Sequence, residues 1–161
     1  MSAVRDAPPD VAIAVEPEPA ADARERVLLG LRAFNRRNAA PPDFAPLTLS
    51  ARVDGALVGG LVGETGWQWL YVELLWVDDA YRGRGIGRRL LLAAEAAAAR
   101  RGCRHAYLDT FDFQARPFYE RLGYTVFGEQ ADYPPGHRRW YLRKTLAAPD
   151  AATGATTDAI A

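Results

Sequence analysis

The segment Tyr81–Arg89, YRGRGIGRR, constrains this chain more than any other stretch. Gly83, Gly85 and Gly87 alternate through it, surrounded by Arg82, Arg84, Arg88 and Arg89. Glycine gives up more backbone freedom on folding than any other residue, so three of them in so short a span need a reason. Clustered arginines repel one another. The apolar run WQWLYVELLWVD precedes the segment and the helical pattern IGRRLLLAAEAAAARRG follows it, so it is a strand-to-helix turn. A helix N-terminus carries unpaired N–H groups and a partial positive charge. Glycines let a bulky anion approach those groups, and arginines add donors for phosphate oxygens. The stretch reads as an anion cradle, most naturally for phosphate. The plainer alternative is a tight turn with solvated arginines, but three alternating glycines exceed what such a turn requires.

Standard nucleotide motifs do not account for the cradle. A dinucleotide fold wants G-x-G-x-x-G after the first strand of a βαβ unit, with an acidic residue about twenty positions on. Here the glycines alternate and follow three strands that read as antiparallel. A P-loop needs G-x-x-x-x-G-K-[ST], which the sequence lacks.

Composition narrows the functional classes. The 161 residues fit one domain with a real core. Formal net charge is zero, so nothing global favours nucleic acid or an anionic membrane, and any cationic site is local. The single Cys103 cannot pair within the chain and is too little for a cysteine metal site; a small packed thiol is the expectation. The most apolar helical run, LLLAAEAAAA, is too short to span a bilayer and contains Glu95. With no signal-peptide pattern at the start, a cytoplasmic setting is expected, without membrane or nucleic-acid partners.

Along the chain, residues 1–10 are polar and proline-marked and predict a flexible N-terminus. VAIAVEP reads as a first strand. Residues 20–38 place Val27, Leu28, Leu31 and Phe34 at helical spacing. LTLSARVDGALVGGLVGE reads as two strands joined at Asp54-Gly55, a strong hairpin signal. The long aromatic strand comes next, then the cradle and a helix that Gly102 stops. HAYLDTF is a strand, ARPFYERLG a short helix, and YTVFGE and HRRWYLRKTL closing strands. The order β-α-β-β-β-α-β-α-β-β fits one domain over 11–146, and the small residues of 147–161 predict a disordered tail.

Two stretches carry a family resemblance. Arg82-Gly83-Arg84-Gly85-Ile86-Gly87 matches the [RQ]-x-x-G-x-[GA] signature of the GNAT acetyltransferase superfamily, and FQARPFYERLGY resembles its second signature, a short helix ending in F-Y-x-x-x-G-[FY]. The resemblance covers roughly residues 11–145. It implies an α+β fold: a mixed, mostly antiparallel sheet of six to seven strands flanked by helices, with a splayed central strand pair for CoA. It implies acetyl-CoA as donor, no metal, and an amine acceptor on a small molecule or peptide. Carried over by residue, it gives Gly83, Gly85, Ile86 and Gly87 to the cradle. It makes Arg82, Arg84, Arg88 and Arg89 candidate phosphate contacts, with backbone N–H groups from Arg84 to Arg88 on the pyrophosphate. Leu75, Trp76 and Val77 face pantetheine, with Phe118 on the same cofactor. Gln114 stands where the family often has asparagine, and Tyr119 matches the tyrosine that protonates the departing thiolate.

The chemistry itself sets further requirements. Transfer from a thioester to an amine needs a neutral amine, oxyanion stabilisation and a protonated leaving thiol. Alkylamines are mostly charged at pH 7, so a carboxylate that attracts the ammonium and accepts its proton is useful. Glu73 is the only charged residue in WLYVELLWV, and strand parity places it on a face with Tyr71, Leu75 and Val77. A buried carboxylate there is either base, amine anchor, or partner of a nearby arginine. Asp109 and Asp112 are acceptor-side candidates or helix caps, Tyr133 a wall of the acceptor pocket or a packing residue, and His137 a second candidate base or a solvated loop histidine. An acyl-CoA sensor without turnover is the main alternative to an enzyme. The sequence is also compatible with a homodimer.

Overall fold

The computed structural model describes residues 11–16, 22–41 and 43–148. The described residues up to 41 and those from 43 onward fall in two separate compact units. In the first, α1 (Ala23–Asn38) is the helix expected from the spacing of Val27, Leu31 and Phe34, and none of its residues is buried. The strand expected at VAIAVEP is absent: residues 11–16 carry no regular structure. A strand persists only where a ladder takes up its N–H and C=O groups, and the sheet provides none for this segment. The loose termini expected at 1–10 and 147–161 lie outside the described residues, except for Ala147 and Ala148.

The second unit is a six-stranded sheet with the order β1-β2-β3-β4-β6-β5. Its strands are β1 (Ala45–Val53), β2 (Ala56–Gly66), β3 (Trp69–Val77), β4 (His105–Phe111), β5 (Thr125–Ala131) and β6 (Arg138–Thr145). The β1–β2 hairpin turns at Asp54 and Gly55, both at positive φ, as a two-residue type I′ loop demands. Every neighbouring pair is antiparallel except β3 and β4, which run parallel. Between those two lies α2 (Ile86–Arg100), as a parallel connection requires.

Helix α2 lays Leu90, Leu91, Ala94 and Ala98 against Leu47, Leu61, Leu70 and Val72 of the sheet. Each fully buried leucine contributes about 1.5–3 kcal/mol. Cys103 packs into the same core, as expected of a lone thiol. The helix stops at Gly102, whose positive φ closes the last turn.

One irregularity in β3 corrects the strand-parity reading. Val62 pairs with Leu74 and Gly63 with Val72, so Glu73 is an extra residue opposite no partner. This is a β-bulge, which re-aims the side chains that follow it. Before it, Leu70 and Val72 face the core; after it, Leu75 and Val77 do. Glu73 therefore does not share a face with Leu75 and Val77, and it is exposed rather than buried. Gly63 permits the bulge, because a Cβ there would collide with the Tyr71 carbonyl oxygen.

Candidate active site

The parallel pair forms a fork. β3 and β4 are joined from Trp69 with His105 to Val72 with Leu108, and no rung follows, although β3 runs on to Val77 and β4 to Phe111. Beyond Val72 the edge of β3 that faces β4 has no ladder partner, so its polar backbone groups are available to a bound molecule. A cleft of about 1040 Å³ fills the fork. Its walls include Glu73, Leu75, Trp76 and Val77 from β3, Asp109 and Thr110 from β4, and the first turn of α2. Gln114, Phe118 and Tyr119 come from α3 (Arg116–Arg121) and the turn before it.

The glycine-rich turn lies at one end of this cleft. Gly83 and Gly85 sit at φ 74° and 75°, in the left-handed region that glycine enters most readily. The first recorded bond of α2 runs from Arg89 N to Gly85 O, so the amides of Ile86, Gly87 and Arg88 have no partner among the described residues. Gly87 is more informative still. Its φ is not positive, and the nearest atom to an added Cβ, on Phe118, would be 3.6 Å away. Nothing in the protein itself requires glycine at 87. A Cβ would instead stand in the cleft it lines, where it would obstruct an anion approaching those amides.

The arginines divide into distinct groups. Arg82 pairs with Asp79 at 2.8 Å and donates from Nε to the Val77 carbonyl at 3.3 Å, which braces the turn. Arg84 stacks over Tyr81 at 5.3 Å, and neither Arg84 nor Arg89 lines the cleft. Arg88 does line it, and its side chain has no ion pair among the described residues. Arg121 also lines it, equally unpaired, and sequence reasoning missed it. The available signal was helical spacing: Arg121 and Leu122 follow Phe118 by three and four residues, and all three reach the cleft.

Tyr119 is 8% exposed, yet its hydroxyl makes no hydrogen bond to another described residue. Burial first, and then the negative charge of Asp109, push its phenol up to about 12. It thus stays protonated, as a donor, across the neutral range. Asp109 is held by Arg139, whose Nε donates to Oδ2 at 2.7 Å. Glu73 has no ion pair or hydrogen bond among the described side chains, though its charge reaches the phenol of Tyr71. The Oε1 of Gln114 accepts from Phe111 N at 2.9 Å and from the Thr110 hydroxyl at 3.1 Å. Its Nε2 has no partner among the described residues.

Three further candidates fall outside the cleft lining. Asp112 and His137 form a pair, Oδ1 to Nδ1 at 3.0 Å, beside Phe113. Tyr133 stacks on Phe111 and lies 5.7 Å from the Arg139 guanidinium. Among the described residues, no group of three or more His, Cys, Asp or Glu is placed to hold a metal ion, and no helix is long and apolar enough to cross a membrane.

A sheet forked at the one parallel pair among its described strands, with unpartnered amides on the helix between, offers a site for a phosphate-bearing ligand. The family profile described as "Acetyltransferase (GNAT) family" matches residues 11–124, and the chain belongs to that family. It is 50% identical over 93 residues to blasticidin-S acetyltransferase of Streptomyces morookaense, spanning 57% of this chain and 68% of that protein. It is 39% identical over 125 residues to an acetyltransferase of Agrobacterium fabrum, spanning 77% of this chain and 91% of that one. A crystal structure of an acetyltransferase from Bacillus cereus superposes with a TM-score of 0.77 at 29% identity, covering 83% of this chain and 98% of that one.

Proposed function

We propose that this chain is an N-acetyltransferase that moves an acetyl group from acetyl-CoA to a primary amine of a small molecule or peptide, by direct attack in a ternary complex. The observation that carries this reading is Tyr119: a buried ring whose hydroxyl has no hydrogen-bond partner among the described residues, kept protonated, on the wall of a cleft whose other end is the amide cradle. The amides of Ile86, Gly87 and Arg88 hold the pyrophosphate, with Arg88 and Arg121 adding charged donors. Backbone groups of Leu75, Trp76 and Val77 and the Nε2 of Gln114 orient the pantetheine arm.

Glu73 attracts the acceptor's ammonium and takes up a proton, so that neutral nitrogen attacks the thioester carbon. The C–N bond forms, the attacking nitrogen loses its second proton to water, and the C–S bond breaks. Tyr119 gives its proton to the departing sulfur and regains one from water. Help of this kind is typically worth about a hundred- to ten-thousand-fold. Asp109, fixed by Arg139, keeps the acceptor side of the fork polar. The relative named for blasticidin S supports a small-molecule acceptor.

The test is release of CoA thiol from acetyl-CoA in the presence of a panel of primary amines, with the acetylated product confirmed by mass spectrometry. Amine-dependent release is expected. Binding of acetyl-CoA without release to any amine contradicts the reading and leaves a sensor.

A further inference from the structure

A buried polar cluster lies outside the cleft and has no part in the chemistry above. Glu95 of α2 is 8% exposed. Its Oε1 accepts from the Tyr124 hydroxyl at 2.9 Å and its Oε2 from Lys144 Nζ at 2.6 Å. A buried carboxylate is tolerated only when paired and hydrogen-bonded, and this one is both. Tyr124 is 2% exposed and has Tyr119 as its neighbour.

The backbone shows how the two tyrosines are coupled. Helix α3 spans only Arg116–Arg121, far too short to hold its shape by its own hydrogen bonds. Its end is fixed instead by a Schellman motif. Tyr124 N donates to Tyr119 O at 3.1 Å, Gly123 N donates to Glu120 O at 3.0 Å, and Gly123 takes the left-handed conformation at φ 89°. The motif calls for a side-chain contact between its outer residue and the last turn, and here the rings of Tyr124 and Tyr119 meet edge-on at 6.0 Å. The spacing of FYERLGY is therefore the spacing of this cap.

We propose that Tyr124, anchored to Glu95, is a positioning residue that holds Tyr119 in register with the phosphate cradle. Glu95 belongs to α2, the helix whose first turn forms that cradle. The tether thus references the phenol and the cradle to one rigid element. Lys144 compensates the carboxylate from β6, so the anchor does not depend on solvent. The catalytic part of this inference rests on the reading of Tyr119 as the acid.

The experiment uses the full chain. Tyr124→Phe keeps the ring and leaves Glu95 paired with Lys144, so the fold survives. Glu95→Gln is the second variant. Tyrosine labelled at Cζ reports the phenol titration by NMR, with the Tyr119 signal assigned from Tyr119→Phe. If the tether holds Tyr119 in place, both variants move that titration down from about 12 toward the ordinary phenol value, because water reaches a loosened helix end. In steady-state kinetics kcat falls about tenfold while the KM for acetyl-CoA stays within about threefold, and Tyr124→Phe costs nothing more in a Tyr119→Phe background. A Tyr119 titration unmoved in both variants overturns the tether. So does a loss of kcat that multiplies with that of Tyr119→Phe. If the titration moves but Tyr119→Phe has wild-type kcat, the tether stands and the acid reading falls.

Discussion

Glu73 and Asp109 stand one residue beyond the last rung joining β3 to β4, one carboxylate on each wall of the fork. Their surroundings differ. Asp109 is neutralised by Arg139 at 2.7 Å, whereas Glu73 projects from a bulge without a partner among the described side chains. The unpaired carboxylate is the one available to an ammonium. Glu73→Gln is therefore expected to lower kcat/KM for the acceptor about a hundredfold or more, with acetyl-CoA affinity changed less than about threefold. Steady-state kinetics with titration calorimetry checks this. A wild-type kcat/KM would transfer the role elsewhere, with His137 next in line.

The cradle makes a sharper claim. CoA and acetyl-CoA should raise the melting temperature, and NAD and ATP much less. A ligand that binds only the folded state at one hundred times its dissociation constant adds about 2.7 kcal/mol. Gly87→Ala should fold and yet lose this gain, since the protein itself leaves room for a Cβ at that position. Retained stabilisation by CoA in the variant would place the anion elsewhere.

Arg88 and Arg121 should act on the phosphates alone. A hydrogen bond to a charged group is worth about 1.5–3 kcal/mol, so Arg88→Ala or Arg121→Ala should raise the KM for acetyl-CoA about tenfold or more. The same variants should leave acetyl-pantetheine, which lacks the nucleotide, unchanged. Equal losses with both donors would mean the arginines act through the fold.

The raised phenol of Tyr119 has a consequence for stability. Its folded-state value, about 12, lies above the ordinary value of 10. The folded protein therefore holds this proton more tightly than the unfolded chain. The stabilisation is complete below pH 10 and is lost as pH rises toward 12, on the order of 1 kcal/mol by pH 11. Urea titrations at pH 9 and pH 11 should show a smaller alkaline loss in Tyr119→Phe than in wild type. Equal losses would show that burial does not hold the phenol as described.

Much of the sheet was legible because its signals are local. Asp54-Gly55 fixes a hairpin, and Gly102 and Gly123 mark helix ends by backbone conformation. The strand-to-helix turn was legible because Gly83 and Gly85 take the positive φ that it needs, which leaves Gly87 alone without an explanation inside the protein. The strand at residues 11–16 was misread because an apolar pattern does not supply a partner. The face of Glu73 was misread because a bulge is set by the opposing strand, at Gly63, and breaks the period on which parity rests. Arg121 was missed because the helical spacing that sets it beside Phe118 does not by itself show that this face lines a cleft. Arg82 matches the cradle motif, but its pairing with Asp79 shows only in three dimensions.

In the proposed mechanism the cleft performs acyl transfer and Tyr119 supplies the proton. Steady-state kinetics of Tyr119→Phe, with the best acceptor amine from the thiol-release panel, tests it most directly. The substitution keeps the ring in its buried site and removes only the hydroxyl. If Tyr119 is the acid, kcat falls about a hundredfold or more, while acetyl-CoA affinity changes by less than about threefold. A variant with wild-type kcat and a lowered melting temperature would contradict it, and would make Tyr119 a packing residue.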